Sequence, residues 1–369
     1  MKRFDKDKVI LAVAAPLLAV VAALVITSAV IGVTGKDPLH AFAVMLDFGS
    51  KSDSQVWIIN EAIPYYLAAV AVAVGFRMNL FNIGVDGQYR VAAFVAAVVG
   101  GALTLPGIIQ IPLVIVVAML VGALWSGIAG LLKTTRGVSE VITTIMLNSI
   151  AASAIGYFLQ EGRLAEKDGN LFHTPNLPEA SRFFTIPTEP KPIYGTIVLA
   201  VLVGVAYWFV LGRTRFGFDL RAVGRSQSAA SASGVSVRRT VLVSMLLSGA
   251  VAGLVGMSTL LNVSHNYGTD FPAGIGFTGI ALALLGRNHP IGMALGALLW
   301  GFLERTGTQL EFEGYAQEVV GVMQGVIVLC VVIAYELVRR YGLRTQQRKV
   351  GEELAAQART SDDKAEVSA

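Results

Sequence analysis

Three carboxamides and one carboxylate, Asn79, Asn82, Gln88 and Asp86, crowd into "NLFNIGVDGQYR" at residues 79 to 90, between the apolar runs "AIPYYLAAVAVAVGF" and "VAAFVAAVVGGAL". Amides donate and accept hydrogen bonds and an ionised carboxylate only accepts, so the chemistry on offer is hydrogen bonding to a polar partner. Two settings compete for the phrase. One is a loop at a membrane surface, where Asp86 would do no more than start the next helix. The other is a broken helix that exposes backbone and side chains to something in transit, because a polar group at membrane depth is expensive enough to imply a role.

Side chains arranged to break bonds are missing elsewhere. No GxxxxGK[ST] phosphate loop, HExxH or GxSxG occurs, and His40, His173, His265 and His289 have no metal-ligand spacing. The single cysteine, Cys330, lies inside an apolar run, which excludes a disulfide framework and a cysteine metal site. Gly274, Gly276 and Gly279 spell the dinucleotide fingerprint GxGxxG, but Pro272 precedes them and "IALALLG" comes after, so no strand–turn–helix unit is available. Close helix packing explains those glycines better. The expectation is therefore no catalytic residue, no metal and no cofactor, with any energy from nucleotide hydrolysis supplied by another subunit.

The elements that must position these groups are membrane helices. Of the 369 residues 54% are hydrophobic and 15% charged, against about 25% charged in soluble domains, and the mean hydropathy is +0.64. Runs of about 20 apolar residues, enough to cross a hydrocarbon core of roughly 30 Å, recur along the chain. They predict an all-α polytopic protein with about ten spans, near residues 9 to 33, 56 to 76, 84 to 105, 111 to 132, 138 to 159, 194 to 212, 240 to 261, 272 to 286, 290 to 308 and 317 to 338. The first run is too long for a signal-peptide core and reads as a retained helix.

The net charge of +4 matters less than its placement. Lys and Arg collect in "MKRFDKDK", the Arg77 region, "KTTRG", "GRTRFGFDLRAVGRSQSAASASGVSVRR", "GRNHP" and "RRYGLRTQQRK", whereas the longer segments 34 to 55 and 161 to 192 mix both signs. That bias predicts two cytoplasmic termini and speaks against nucleic-acid binding. The membrane domain is expected over residues 1–338, and the Ala-, Glu- and Ser-rich tail 339–369 is expected to be cytoplasmic and disordered. A second Gly/Pro interruption, "HNYGTDFPAGIGFTG" at residues 265 to 279, occupies the place in the second half that the opening phrase occupies in the first. Paired breaks of this kind point to a transporter's central pathway, since irregular backbone at membrane depth must line a cavity or be covered by protein.

The basic loop at about 213–239 carries a run of small residues, "SQSAASASG", with Ala229 and Ala230 at its centre and Gly234 as a helix stop. Composition alone reads it as a solvated basic loop; small side chains would also let a short helix lie in a partner's groove.

The segments "FNIGVDGQ", "GVSEVITTIMLN", "TRFGFDLRAVGRSQSAASASGVSV", "SGAVAGLVG" and "GFTGIALALLGRNHPIG" occur in that order and together resemble the permease subunits of bacterial ABC importers of the branched-chain amino acid, ribose and nucleoside superfamily. Within it the chain most resembles the longer permease of general nucleoside importers. The placement of the two breaks suggests two pseudo-symmetric five-helix halves, though no residue-level repeat accompanies them; the resemblance implies a bacterial inner-membrane location and a second, shorter permease. It also implies a cytoplasmic ATPase, an extracytoplasmic substrate-binding protein and transport by alternating access. It makes Arg221, Gly224, Ala229, Ala230 and Gly234 the ATPase-coupling residues. With a nucleoside cargo, the polar Asn79, Asn82, Asp86 and Gln88 of the first break, and Asn148, Phe277 and Thr278, are candidates for the pathway; Asn148 could equally bond a neighbouring helix, and Phe277 and Trp300 could stack on a base or simply pack. Glu140 reads as a cap or a partner for a nearby Arg; Glu304 and Arg305 as a pair or a contact for the binding protein. Cargo remains open among nucleosides, simple sugars and branched-chain amino acids, and a secondary transporter or membrane enzyme would need ionisable clusters that the spans lack.

Overall fold

The computed structural model describes residues 6–316, 318–338, 340, 341 and 347. The expected disordered tail falls almost wholly outside them. The chain divides into two compact units, Met1–Ala43 with Leu310–Ala369, and Val44–Gln309.

In the first unit, helix α1 (Lys6–Val33) is followed, at the turn after Gly35, by α2 (Pro38–Ser50), which continues into the second unit. The two helices are bent by 115°. Tyr315 binds back to this turn, its hydroxyl donating to the Asp37 carbonyl at 3.0 Å while Lys36 lies over its ring. Glu318–Val338 forms an apolar helix, α14 in chain order.

The second unit holds α3 (Ser52–Phe76), α4 (Val85–Gly101), α5 (Gly107–Arg136), α6 (Glu140–Phe158), α7 (Thr196–Arg213), α8 (Arg215–Arg225), α9 (Gln227–Ala232), α10 (Val237–Gly253), the single turn α11 (Met257–Thr259), α12 (Ile275–Leu285) and most of α13 (Pro290–Phe312). Local chemistry sets their ends. Gly137 closes α5 in the left-handed conformation that glycine adopts freely. Thr214, Ser226 and Ser236 cap α8, α9 and α10 in succession, each hydroxyl accepting from a backbone N–H of the first turn. Within residues 159–195 two short antiparallel hairpins form, β1 (Glu166–Asp168) with β2 (Leu171–His173) and β3 (Thr185–Ile186) with β4 (Ile193–Tyr194).

At the centre stands α3, packed against α4, α7, α10 and α12. The tightest crossing joins α5 to α10, where a Cβ on Gly122 would lie 2.3 Å from the Gly249 carbonyl oxygen and one on Gly253 would lie 2.1 Å from that of Ala118. Backbones in such contact leave room for hydrogen only, the small-residue packing that membrane helices use.

Six helices among the described residues are long and apolar enough to span a bilayer, or seven if the bent α1–α2 pair is one span. The count differs from the expected ten for physical reasons. Eleven residues of α12 reach only about 16 Å at 1.5 Å per residue, so the helix at the expected span 272 to 286 is too short to cross a bilayer by itself. The 17 residues of α4 start with Asp86, Gln88 and Arg90, and α13 carries Glu304 and Arg305. The chain is nonetheless an all-α, multi-pass membrane protein.

Candidate functional site

The opening phrase folds as a tight break, not an open loop. After α3 the chain turns at Asn79, exposed and left-handed with φ 59°, and re-enters the protein at Leu80 and Asn82, whose side chains are nearly inaccessible. Asn82 then works on both sides of its amide. Its Nδ2 donates to Gln88 Oε1 at 3.0 Å and to Ser248 Oγ at 2.8 Å, and its Oδ1 accepts from Gln88 Nε2 at 2.8 Å and from Gly84 N at 3.2 Å. Ser248 passes the connection on to the Ala71 carbonyl at 2.7 Å. A closed set of bonds of this kind leaves no donor or acceptor stranded away from water, the condition for burying amides.

Asp86 joins the two breaks. Its Oδ1 accepts from Gly274 N at 2.8 Å and from Gly276 N at 3.3 Å, so it caps α12 and not the helix it stands on. Gly274 itself is left-handed, φ 89°. Tyr89, one residue beyond Gln88, donates its hydroxyl to the Pro272 carbonyl at 2.7 Å. Gly276 has no alternative side chain available, because a Cβ there would sit 2.2 Å from the backbone nitrogen of Asp86. Asn148 braces the same region from α6, accepting from Gly87 N at 2.9 Å and donating to the Ile83 carbonyl at 3.0 Å. Of the expected pathway residues, Asn82, Asp86, Gln88 and Asn148 are thus engaged with the protein. Phe277, 50% exposed, is open, Thr278 is half-buried, and Asn79 is exposed.

The second break has its own cover. A π turn over Leu260–Ser264 ends at left-handed His265, and residues from the hairpin region bind the stretch from His265 to Tyr267. Thr174 N donates to the Tyr267 carbonyl at 3.0 Å, Tyr267 N to Thr174 Oγ1 at 3.0 Å, and Leu177 N to the His265 carbonyl at 2.8 Å. Tyr267 stacks on Phe271, ring centroids 4.4 Å apart, with Phe94 edge-on at 5.5 Å. Burial, and then the charge of Arg182, holds the His265 imidazole below its ordinary pKa.

The basic loop is ordered as α8 and α9. Gly224, near the end of α8, lies against the first break: a Cβ there would be 2.7 Å from the Arg77 carbonyl oxygen and 2.9 Å from Met78 Cα. Arg77 in turn donates to the Asn288 carbonyl at 2.8 Å, the same oxygen that accepts from the Tyr207 hydroxyl at 2.8 Å. The Arg221 guanidinium donates to the Leu211 carbonyl, fastening α8 to α7. Ala229 is exposed, Ala230 is buried, and Gly234 takes φ 82°.

The acidic residues find partners other than those the sequence suggests. Glu140, in the first turn of α6, pairs with Lys133 and not with an arginine. Glu304 accepts from the Tyr65 hydroxyl at 2.8 Å, while its neighbour Arg305 pairs with Asp53 at 3.0 Å. Sequence reasoning missed Ser248 and Tyr65, whose roles depend on partners 166 and 239 residues away. Their only local signal is a polar atom inside an apolar run. Among the described residues no group of three or more His, Cys, Asp or Glu is placed to hold a metal ion.

Residues 56–332 match the family described as "Branched-chain amino acid transport system / permease component". The chain is 35% identical to the guanosine ABC transporter permease protein NupP of Bacillus subtilis, over 87% of this chain and 93% of that protein. It is 29% identical to the glucose ABC transporter permease protein TsgB13 of Haloferax volcanii over 95% of each chain. To the nucleoside ABC transporter permease protein NupB of Lactococcus lactis it is also 29% identical, over 87% of this chain and 90% of that protein.

Proposed function

The chain belongs to the branched-chain amino acid transport system permease family, and from that premise we propose that it is the nucleoside-translocating permease subunit of an ATP-driven importer in the bacterial inner membrane. In this reading α4, α12 and α13 are membrane-embedded beside the spanning helices, giving ten membrane segments with both termini cytoplasmic. A second permease completes the pathway, a binding protein delivers cargo from outside, and a separate ATPase docks on α8 and α9.

One observation carries the mechanism: the two breaks are tied together through Asp86, and Gly224 of the coupling segment touches the first of them. A push on α8 reaches Arg77 and Met78 directly. From there it passes through the bonded block of Asn82, Gln88 and Asp86 to the start of α12, and so to exposed Phe277 and Thr278. ATP binding drives transport to the extent that the closed ATPase favours one arrangement of this block over the other, since a ligand with no preference between states shifts nothing. Nucleoside cargo is supported by the two relatives named for guanosine and nucleoside. A simple sugar is the second reading, because the glucose permease matches along 95% of the chain.

The test is uptake by the reconstituted assembly. Labelled guanosine should accumulate only when ATPase, binding protein and ATP are all present, and unlabelled guanosine should compete where glucose and leucine do not. Uptake by this chain alone on an ion gradient would overturn the importer reading; competition by glucose or leucine alone would overturn the cargo.

A further inference from the structure

We infer that the cavity beside the coupling segment is a basic socket that receives an acidic projection of the ATPase. The inference rests on the proposed reading that an ATPase docks on α8 and α9. The cavity has a volume of about 1120 Å³ and is walled by α8, α9 and the start of α10, with Arg215, Arg221, Arg225 and Arg239 on its lining against one acidic residue, Asp219. Arg221 is engaged by the Leu211 carbonyl. Arg215, Arg225 and Arg239 are exposed, and none of the three forms an ion pair among the described residues.

Like charges gathered around one concavity repel each other, and an inserted carboxylate turns that repulsion into attraction and into two-point hydrogen bonding with the guanidinium forks. The shape fits an inserted side chain. Ala229, Ala230, Ser233 and Gly234 line the cavity with almost no side-chain bulk, and Phe218, 64% exposed, stands among the lining residues as an apolar contact. A lipid headgroup shares the chemistry of an anion, and Phe216, Phe218, Val235 and Val243 on the lining would meet its acyl chains, so the lipid charge is varied in the test. The walls are the same α8 and α9 on which the ATPase docks in the proposed reading, and the arginines on them call for an acidic group, so a carboxylate of that ATPase is the occupant.

The experiment measures ATPase affinity for the permease pair in nanodiscs, with the binding protein present. Arg225→Glu and Arg239→Glu should each weaken the ATPase about tenfold, and wild-type affinity should fall as salt rises. Reversing the facing acidic residue on the ATPase to Lys should restore the Glu variants. Unchanged affinity in both variants, or salt-independent wild-type binding, overturns the socket. So does a loss seen in anionic nanodiscs and absent from zwitterionic ones, which would assign the cavity to a lipid headgroup. The wild-type salt series needs no variant, so misfolding of either substitution leaves the proposal testable. Ala229→Trp separates the two levels: if it abolishes docking while the Arg variants do not, only the socket fails. If it leaves docking unchanged, the assignment of the coupling segment itself fails.

Discussion

At the scale of single residues, Asp86 decides how the site is read. Its carboxylate satisfies two backbone N–H groups at the start of a helix that begins in irregular chain. Removing it in Asp86→Ala strands both donors, at a cost of about 1–3 kcal/mol; Asp86→Asn retains an oxygen and should lose less. The thermal unfolding midpoint of the purified chain in nanodiscs checks this order. Full stability with lost uptake in Asp86→Ala would instead put the carboxylate on the cargo. His265 makes a separate prediction through pH. Its pKa is depressed in the folded chain, so the unfolded chain takes up the proton first, near the ordinary value of about 6.5. Stability is therefore full above that value and declines as pH falls through it. His265→Asn, which keeps a residue tolerant of the left-handed φ of 55°, should flatten unfolding midpoints measured across that range. The sequence showed that Asn82, Asp86 and Gln88 were unusual for their setting. It could not show what they bind, because Ser248 and Gly274 come to them only through the packing of α10 and α12 against α3 and α4.

At the scale of elements, the contact between α8 and the first break is where a push would pass. Gly224→Ala places a methyl against the Arg77 carbonyl oxygen and Met78 Cα, both main-chain atoms that cannot swing aside. The substitution should leave ATPase docking on α9 intact while uptake falls at least tenfold and ATP hydrolysis continues. Parallel measurement of ATPase retention, hydrolysis and uptake checks all three, and unchanged uptake would remove Gly224 from the path. Much at this level was legible beforehand. Apolar runs located α3, α5, α6 and α7 to within a few residues, the run at 240 to 261 took in α10 and the turns after it, and the interruptions in hydropathy located both breaks. The hairpins β1–β2 and β3–β4 went unread because two- and three-residue strands carry no hydrophobic alternation. The short helix α12 looked like a longer span for another reason: "IGFTGIALALL" is as apolar as a crossing helix, and the left-handed, Asp86-bonded Gly274 that starts it leaves no mark in hydropathy.

At the scale of the whole molecule, the central helix is not the most apolar one. The window of α3 has hydropathy 1.5 and is 78% buried, whereas that of α5 has hydropathy 2.5 and is 22% buried. In water the more apolar helix would be the more buried. In lipid it faces the acyl chains, and helices associate through close packing of small residues and shared polar groups instead. Two substitutions on the same side of the chemistry scale separate these solvents. Leu124→Ala, on α5 and 68% exposed, costs about 2–5 kcal/mol in a water-soluble core, but here it should move the unfolding midpoint of the isolated chain hardly at all. Gly249→Val, which drives a side chain into the Gly122 carbonyl and Ser126 Cβ, should destabilise it by about 1–3 kcal/mol or more. Repeating both measurements on the assembled importer extends the test. If Leu124→Ala then lowers the midpoint while remaining silent in the isolated chain, the outer face of α5 meets the second permease and not lipid.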